Sequence, residues 1–373
     1  MIILKDSDLY AIINCLKITE NYPLYKIWVE MPIMEKFLWL TKKYNNLDSS
    51  VHTFQSLKDI KLCTSNNFSV LSIWTENIIA AKNFALSLNK HVVFINSYME
   101  FSGGVMSHND VQNKETFMFN IICEKISNLD LTESKNEIDL PSTSETSSFS
   151  IHYLFYDGMW QKPIQNTYWK HNDILWANAT NSDIVRCYES AKKGFEIWSA
   201  KSVKSRIEIL SNLESMLNSA GKPVLAAIIV RCRNLEKICL KVTGFTSVIA
   251  KVEMMHNRIP LGVIILKEKN ENILFIRLLQ TLIAGNTVIV INDANSCNLL
   301  PYCEMFTTCG IPAGVINLLS CENINVLENR LCSGQYSDYI KAFFDKSTTT
   351  SGQSYIKSYK NLTMSKQIVI PSK

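Results

Sequence analysis

Along the 373-residue chain the spacing of apolar residues changes several times, and each change marks an element. Leu9, Ile12, Ile13 and Leu16 recur at three-and-four spacing, which predicts a helix within residues 1–50 with Asp6 or Ser7 as its N-cap. No chemistry-bearing motif accompanies this helical opening. From Val51 the texture shifts: Val70 to Trp74 is a short apolar run, Ile78, Ala81, Ala85 and Leu88 share one helical face, and Val92 to Ile95 is a second run. Strand, helix, strand is a β-α-β unit.

Between about Ser127 and Ser150 the pattern dissolves into Ser, Thr, Glu and Asn, with too few large apolar residues to bury a core, so 127–150 reads as a linker. Beyond it, Leu154 to Trp160 predicts a hairpin turning at Asp157-Gly158. Two amphipathic helices follow, one carrying Ile184, Tyr188, Ala191, Phe195 and Trp198, the other Ile207, Leu210, Leu213 and Leu217. From Pro260 onward short β-branched runs (Gly262–Leu266, Thr287–Ile291, Val315–Leu319) alternate with helical stretches (Ile273–Leu282, Leu300–Thr308). Continuous apolar strands alternating with helices predict an α/β fold with a doubly wound parallel sheet, which binds ligands beyond the carboxyl ends of its strands.

Composition narrows the function classes. A net charge of +4, without a dense basic run among aromatics, gives nucleic acid no electrostatic foothold. No apolar run approaches the roughly 18 residues of a membrane span, and Met1-Ile2-Ile3-Leu4 is interrupted at Lys5-Asp6. The 11 cysteines are scattered and never spaced as Cys-x-x-Cys, which argues against a zinc site or a disulfide framework and predicts reduced thiols in a cytoplasmic protein. Dinucleotide, Walker and zinc-protease motifs are all missing from the sequence.

Three ordered blocks carry more information: Pro260-Leu261-Gly262-Val263, Ala284-Gly285-Asn286-Thr287-Val288, and Gly310-Ile311-Pro312-Ala313-Gly314-Val315-Ile316-Asn317. With Ala191–Trp198 and Arg206–Leu217 upstream, they make about Leu154 to Ile370 resemble the cofactor domain of aldehyde dehydrogenases. A second resemblance lies earlier: Phe54 and Asp59, Ser72–Asn77, Ala80-Ala81-Lys82 and Val92–Asn96 are similar to the closing segment of that family's catalytic domain. The end of one unit thus precedes the start of another, as in the tandem, divergent family-16 aldehyde dehydrogenases. The resemblance implies residues 51–126 as the C-terminal part of a first unit and 151–373 as the cofactor-domain part of a second, both incomplete.

Aldehyde oxidation by that family needs a Cys thiolate, a general base, donors for the oxyanion and a nicotinamide. Gly352-Gln353-Ser354-Tyr355 copies half of the nucleophile motif, but Tyr355 stands where Cys should be, and no cysteine of the chain is in its place. The oxyanion Asn falls in Lys267–Asn272, where Asn270 or Asn272 could serve or the segment could be a surface turn. The Lys used on the adenosine ribose falls on Ile291, and its acidic partner near Ala294, with Asp293 displaced. In Phe343–Thr348 the Gly that lets the backbone approach pyrophosphate is Lys346, which crowds the phosphate or meets it as a point charge. The resemblance leaves Ser347, Lys346 and Gly314 as candidate cofactor-binding residues, NAD as the implied cofactor, and no catalytic or metal-binding residue.

The sequence therefore leaves open three readings. One is an inactive aldehyde-dehydrogenase-like module working through self-association or another protein. The second is part of an active NAD(P)-dependent enzyme whose catalytic residues lie outside this chain. The third is an unrelated nucleotide-binding protein, which needs phosphate at Lys346 and Ser347.

Overall fold

A computed structural model describes residues 1–18, 26–44, 50–60, 62, 69–98, 105, 150–233, 245–249, 252–268, 270–292, 299–332, 339–341 and 359–371. They form two compact units: unit 1 within Met1–Phe119, Lys241–Ile259 and Met364–Lys373, and unit 2 within Asn120–Leu240 and Pro260–Thr363. Of the linker expected at 127–150, residues 127–149 lie outside the described residues, and Ser150 already opens a strand.

Strands and helices are numbered in chain order. Unit 1 contains β1 (Ile2–Ile3), α1 (Leu9–Ile18), β2 (Lys26–Glu30), α2 (Met34–Tyr44), β3 (Ser50–Phe54), β4 (Val70–Trp74), α3 (Ile78–Ser87) and β5 (Val92–Ile95), joined by β11 (Phe245–Ile249), β12 (Val252–Pro260) and β17 (Thr363–Pro371). The sheet order is β11-β12-β17-β5-β4-β1-β2-β3, and the run from β17 to β3 is parallel throughout. One core holds α1 and α2 against Ile3, Ile27 and Val29; another holds Ala81 and Ala85 of α3 against Leu71, Ile73, Val93 and Ile95. Helices on both faces make this sheet doubly wound. The strand, helix and strand expected at 70–95 are present, but residues 1–50 are more than a helical segment, since β1 and β2 extend the same sheet. The boundary read from the change of texture at Val51 is crossed by the β2–β3 ladder, where Lys26 pairs with Ser50 and Glu30 with Phe54.

The helix expected in the opening segment is α1, although neither Asp6 nor Ser7 caps it. Asp8 does so, its carboxylate accepting from the N–H groups of Tyr10 and Ala11 at 3.0 and 3.1 Å. At the amino edge of the sheet His91, 2% exposed, accepts the Ser69 N–H at Nδ1 over 3.2 Å, which fixes a neutral ring. Burial, reinforced by neighbouring Lys90, pulls the His91 pKa down from 6.5 to about 4. A depressed histidine contributes stability that is full above pH 6.5 and lost as the pH falls through 4, because only the unfolded chain takes up the proton in that window. Acidification from pH 7 to 4.5 is expected to remove roughly 2–3 kcal/mol from unit 1. Urea midpoints should fall less steeply with pH in His91→Gln; equal slopes in the two proteins would exclude His91 as the source.

Unit 2 opens with β6 (Ser150–His152), β7 (Leu154–Tyr156), β8 (Met159–Gln161), β9 (Tyr168–His171) and β10 (Ile174–Ala177), followed by α4 (Asn181–Ser199), α5 (Val203–Ser219) and α6 (Pro223–Cys232). It continues with β13 (Val263–Leu266), α7 (Glu271–Ile283), β14 (Thr287–Asn292), α8 (Cys303–Thr308), β15 (Ile316–Ser320), α9 (Ile324–Cys332) and β16 (Tyr339–Lys341). The main sheet runs β16-β13-β14-β15-β7-β8, parallel from β16 to β15, with the β7–β8 hairpin added antiparallel. That hairpin turns at Asp157-Gly158 as expected, both residues at positive φ (54° and 72°) as a two-residue turn of matching twist requires. The helices at 181–199 and 203–219 and the strand-helix alternation from 263 to 320 also follow the sequence pattern. Leu300–Thr308 departs from it in part: Leu300–Tyr302, with Pro301, is a 3-10 turn leading into α8. Leu210, Leu213, Leu274, Leu278, Val288 and Val290 meet on one face of the sheet, and Ile184, Ala191, Ile265, Ile289 and Leu327 on the other.

Candidate functional site

The family-like blocks gather at the amino ends of the unit 2 strands, where they hold helices to sheet. Trp198 of α4 donates its indole N–H to the Leu282 carbonyl at 2.8 Å, and Arg206 of α5 donates Nε–H to the Ile283 carbonyl at 3.1 Å. Together they tie the last carbonyls of α7 to the two neighbouring helices, Leu282 also accepting the Gly285 N–H at 3.0 Å. Asn286, fully buried, accepts the Gly262 N–H at 2.9 Å and donates to the Leu362 carbonyl at 2.9 Å. Asn317 donates to the carbonyls of Gly314 (2.7 Å) and Val288 (3.0 Å), and accepts from Ser190 Oγ at 3.2 Å.

Gly314 sits in this lock at φ 78°, and a Cβ there would lie 2.1 Å from the Ser190 carbonyl oxygen. From the helix side, a Cβ on Gly194 would lie 2.4 Å from the Gly314 carbonyl carbon. Two glycines thus let α4 touch the start of β15 backbone to backbone. Gly314, a candidate for cofactor contact, precedes its strand, at the edge opposite the one where doubly wound sheets take ligands. Lys346 and Ser347 lie outside the described residues.

At the carboxyl edge, β16 returns beside β13 while β14 and β15 lie on β13's other side, so the winding reverses next to β13. A cleft of about 560 Å³ is lined there by Lys267, which follows β13, and by Glu322, Asn323, Ile324 and Asn325 at the start of α9. Lys267 is ion-paired with Glu328 at 3.4 Å. Asn323 turns its side chain to the Val326 N–H at 3.2 Å, capping the helix. Asn270 likewise caps α7 by accepting from Ile273 N–H at 3.1 Å, and Asn272 is exposed in the first turn of that helix.

Ile291 is 1% exposed, packed with Val263, Ile265 and Leu319, and offers nothing to a ribose. A dinucleotide brings two phosphate charges. Among the described residues the cleft supplies one lysine already paired to a carboxylate, with Glu322 beside it. These residues do not fit NAD. Sequence reading missed Lys267 and Glu322 as cleft-lining groups, because polar loop residues carry no periodicity; only an Asn ahead of an apolar helix marked the place.

Four of the described thiols, Cys187, Cys232, Cys303 and Cys309, do not fit a nucleophile. Burial raises Cys232 to about 12 and Cys309 to about 11, and drives Cys187 and Cys303 further up. A thiol in this state is a small apolar side chain, not a thiolate.

Unit 1 has a reversal of its own between β1 and β4. Beyond their carboxyl ends the Asp6 carboxylate accepts from Thr75 Oγ1 at 2.7 and 2.8 Å and from the N–H groups of Glu76 and Asn77 at 3.1 and 3.2 Å. Asn96, at φ 53°, accepts the Thr75 N–H at 2.9 Å and donates to its carbonyl at 2.8 Å. The Thr75, Glu76 and Asn77 donors at this reversal are thus engaged by the chain itself, whereas Trp74 Nε1 and Ser97 Oγ at the same end of the strands are buried with no partner among the described residues.

No family model matches the chain. It is 27% identical over 205 residues to the N-succinylglutamate 5-semialdehyde dehydrogenase of Burkholderia multivorans, a match that takes in 45% of this chain and 41% of the relative. Among solved structures, a 3,6-anhydro-L-galactose dehydrogenase in complex with NAP is 18% identical with a TM-score of 0.44, covering 57% of this chain and 50% of that one. A salicylaldehyde dehydrogenase from Pseudomonas putida G7 is 20% identical with a TM-score of 0.41, covering 50% and 45%. The chain thus spans about two fifths to one half of the length of these proteins. No helix among the described residues is long and apolar enough to cross a membrane. Over part of its length, the chain is aldehyde-dehydrogenase-like in sequence.

Proposed function

We propose that this chain is an aldehyde-dehydrogenase-like module that does not oxidise aldehydes by itself and acts through assembly, with a second copy or another protein. One observation carries the reading. The residues it has in common with the family are spent on packing at the amino edge of the sheet, while the described residues that line the cleft at the carboxyl edge include no cysteine and a lysine already paired to a carboxylate. In the same reading the chain is a window across two tandem units of the family-16 kind. Its setting is the cytoplasm, in keeping with buried reduced thiols.

The alternative is a part of an active NAD(P)-dependent aldehyde dehydrogenase, an oxidoreductase whose catalytic residues lie outside this chain. The cleft beside Lys267 is what favours it, being at the edge where such sheets hold nucleotides. Calorimetric titration with NAD separates the two. The expected result is no heat of binding up to about 1 mM NAD, the level at which affinity has fallen to about 4 kcal/mol. Micromolar binding would replace the assembly reading with the enzyme one. Assembly is checked separately: the thermal midpoint should rise with protein concentration if copies associate, and a constant midpoint with a monomeric sedimentation profile would remove self-association.

A further inference from the structure

The outer face of α2 in unit 1 carries a group of side chains that neither the core nor the proposed function uses. Phe37, Leu40 and Thr41 turn inward, the first two packing with α1. On the opposite side Trp39 is 56% exposed and Leu38 37% exposed. Lys36 and Lys43 lie three and four residues from Trp39, and Lys42 lies four from Leu38, so helical spacing gathers all five on one surface. The three lysines are exposed as well, and Lys43 holds its ammonium 4.8 Å from the centre of the Trp39 ring. Glu35, the helix's single acid, sits in the first turn, where the helix dipole favours it. The dipole also accounts for Lys42 and Lys43 in the last turn, but for neither Lys36 nor an indole left facing water.

We propose that this face docks on an anionic lipid surface. An indole suits the headgroup level of a bilayer, where an apolar ring and a polar N–H are both satisfied. Lysines around it reach phosphate and carboxylate groups while their stems lie along the apolar side chains. A second copy presenting the same face would set lysines against lysines, which charge repulsion disfavours. A protein partner calls for about 800 Å² on each side with an apolar centre, and two apolar side chains on one outward-facing helix fall well short. A bilayer asks only for shallow insertion beside positive charge. Docking of this kind goes beyond the assembly reading and does not depend on it, and it is distinct from crossing a membrane.

The test sediments the full chain with vesicles of phosphatidylcholine alone or mixed with phosphatidylserine. Pelleting with the mixed vesicles only, and its loss as salt is raised, is expected. Replacing Lys36, Lys42 and Lys43 together by Gln should weaken binding roughly a hundredfold, at about fivefold per lysine. Trp39→Ala should weaken it about tenfold through the lost insertion. Lys192→Gln, Lys193→Gln and Lys204→Gln, made together at three exposed positions of unit 2, should leave binding as in the parent, which separates a defined face from the chain's overall positive charge. All these positions are on the surface, so both triple variants and Trp39→Ala should keep the parent's thermal midpoint. No pelleting with the mixed vesicles, equal pelleting with neutral ones, equal weakening by the two triple variants, or unchanged binding of Trp39→Ala would overturn the proposal. Capture by polyglutamate with none by vesicles would also overturn it, and would make an acidic protein the occupant.

Discussion

Gly314→Ala is expected to destabilise unit 2 by about 4 kcal/mol or more, enough to leave a large share of a marginally stable unit unfolded. Two effects add. The residue holds φ 78°, a region costing a non-glycine residue about 1 kcal/mol, and the new methyl would meet the Ser190 carbonyl at 2.1 Å. The second effect dominates, because the colliding atom is helix backbone, and it can retreat only if α4 moves off the sheet and breaks the bonds from Asn317 and Ser190. Gly310→Ala isolates the first effect: φ there is 93°, with nothing within 4 Å of the added carbon. Urea midpoints should place Gly310→Ala near 1 kcal/mol below the parent and Gly314→Ala well beyond it. Equal losses would mean that conformational strain alone explains the glycine, and the close approach of α4 to β15 would have to be given up.

Ile291→Lys carries the second large effect. The substitution would restore the cation that the aldehyde dehydrogenase resemblance places after the Gly-Asn-Thr-Val strand, yet the side chain is 1% exposed among Val263, Ile265, Ile289 and Leu319. Among the described residues the cluster around it holds no carboxylate, and an uncompensated buried charge costs about 3–5 kcal/mol. Loss of soluble, cooperatively unfolding unit 2 is the expected outcome, whereas Ile291→Val should cost only about 1 kcal/mol. Retention of parental stability by Ile291→Lys would show that the side chain reaches solvent at the carboxyl edge, and the nucleotide reading would regain its missing cation.

Much of the fold is legible in the sequence wherever an element is long enough to show its period. The α4 stripe through Ile184, Ala191 and Trp198 and the apolar runs of β13, β14 and β15 are such cases. The opening sheet is not legible, for two physical reasons. β1 is only Ile2–Ile3, too short for any periodicity, and β2 alternates exposed Lys26 and half-buried Trp28 with buried Ile27 and Val29, a pattern hidden by its charged ends. β17 joins that sheet through non-local pairing with β5, which no window along the chain can reveal. At the candidate site, Gly285-Asn286 and Gly310–Asn317 are legible as words, but which edge of the sheet they occupy is a property of topology. Once strand direction is known, the same residues change from candidate chemistry to mortar. Trp169 and Trp176 are each visible in the sequence, while their alignment with His152 depends on a register that joins strands parallel on one side and antiparallel on the other.

The Lys366 side chain, fully buried on β17, donates to the Leu86 carbonyl at 3.0 Å and to the Leu88 carbonyl, at the end of α3. The first of these bonds joins residues 280 positions apart. On a ribosome adding about 5–20 residues per second, β5 therefore emerges on the order of tens of seconds before the strand that pairs with its open side. Throughout that interval the edge of Val92–Ile95, apolar on both faces, is a template for any passing strand. Synthesis rate and chaperone occupancy, rather than final stability, then set how much of unit 1 reaches its native sheet, and slowing translation in the later half of the message would be felt first in the solubility of the earlier half.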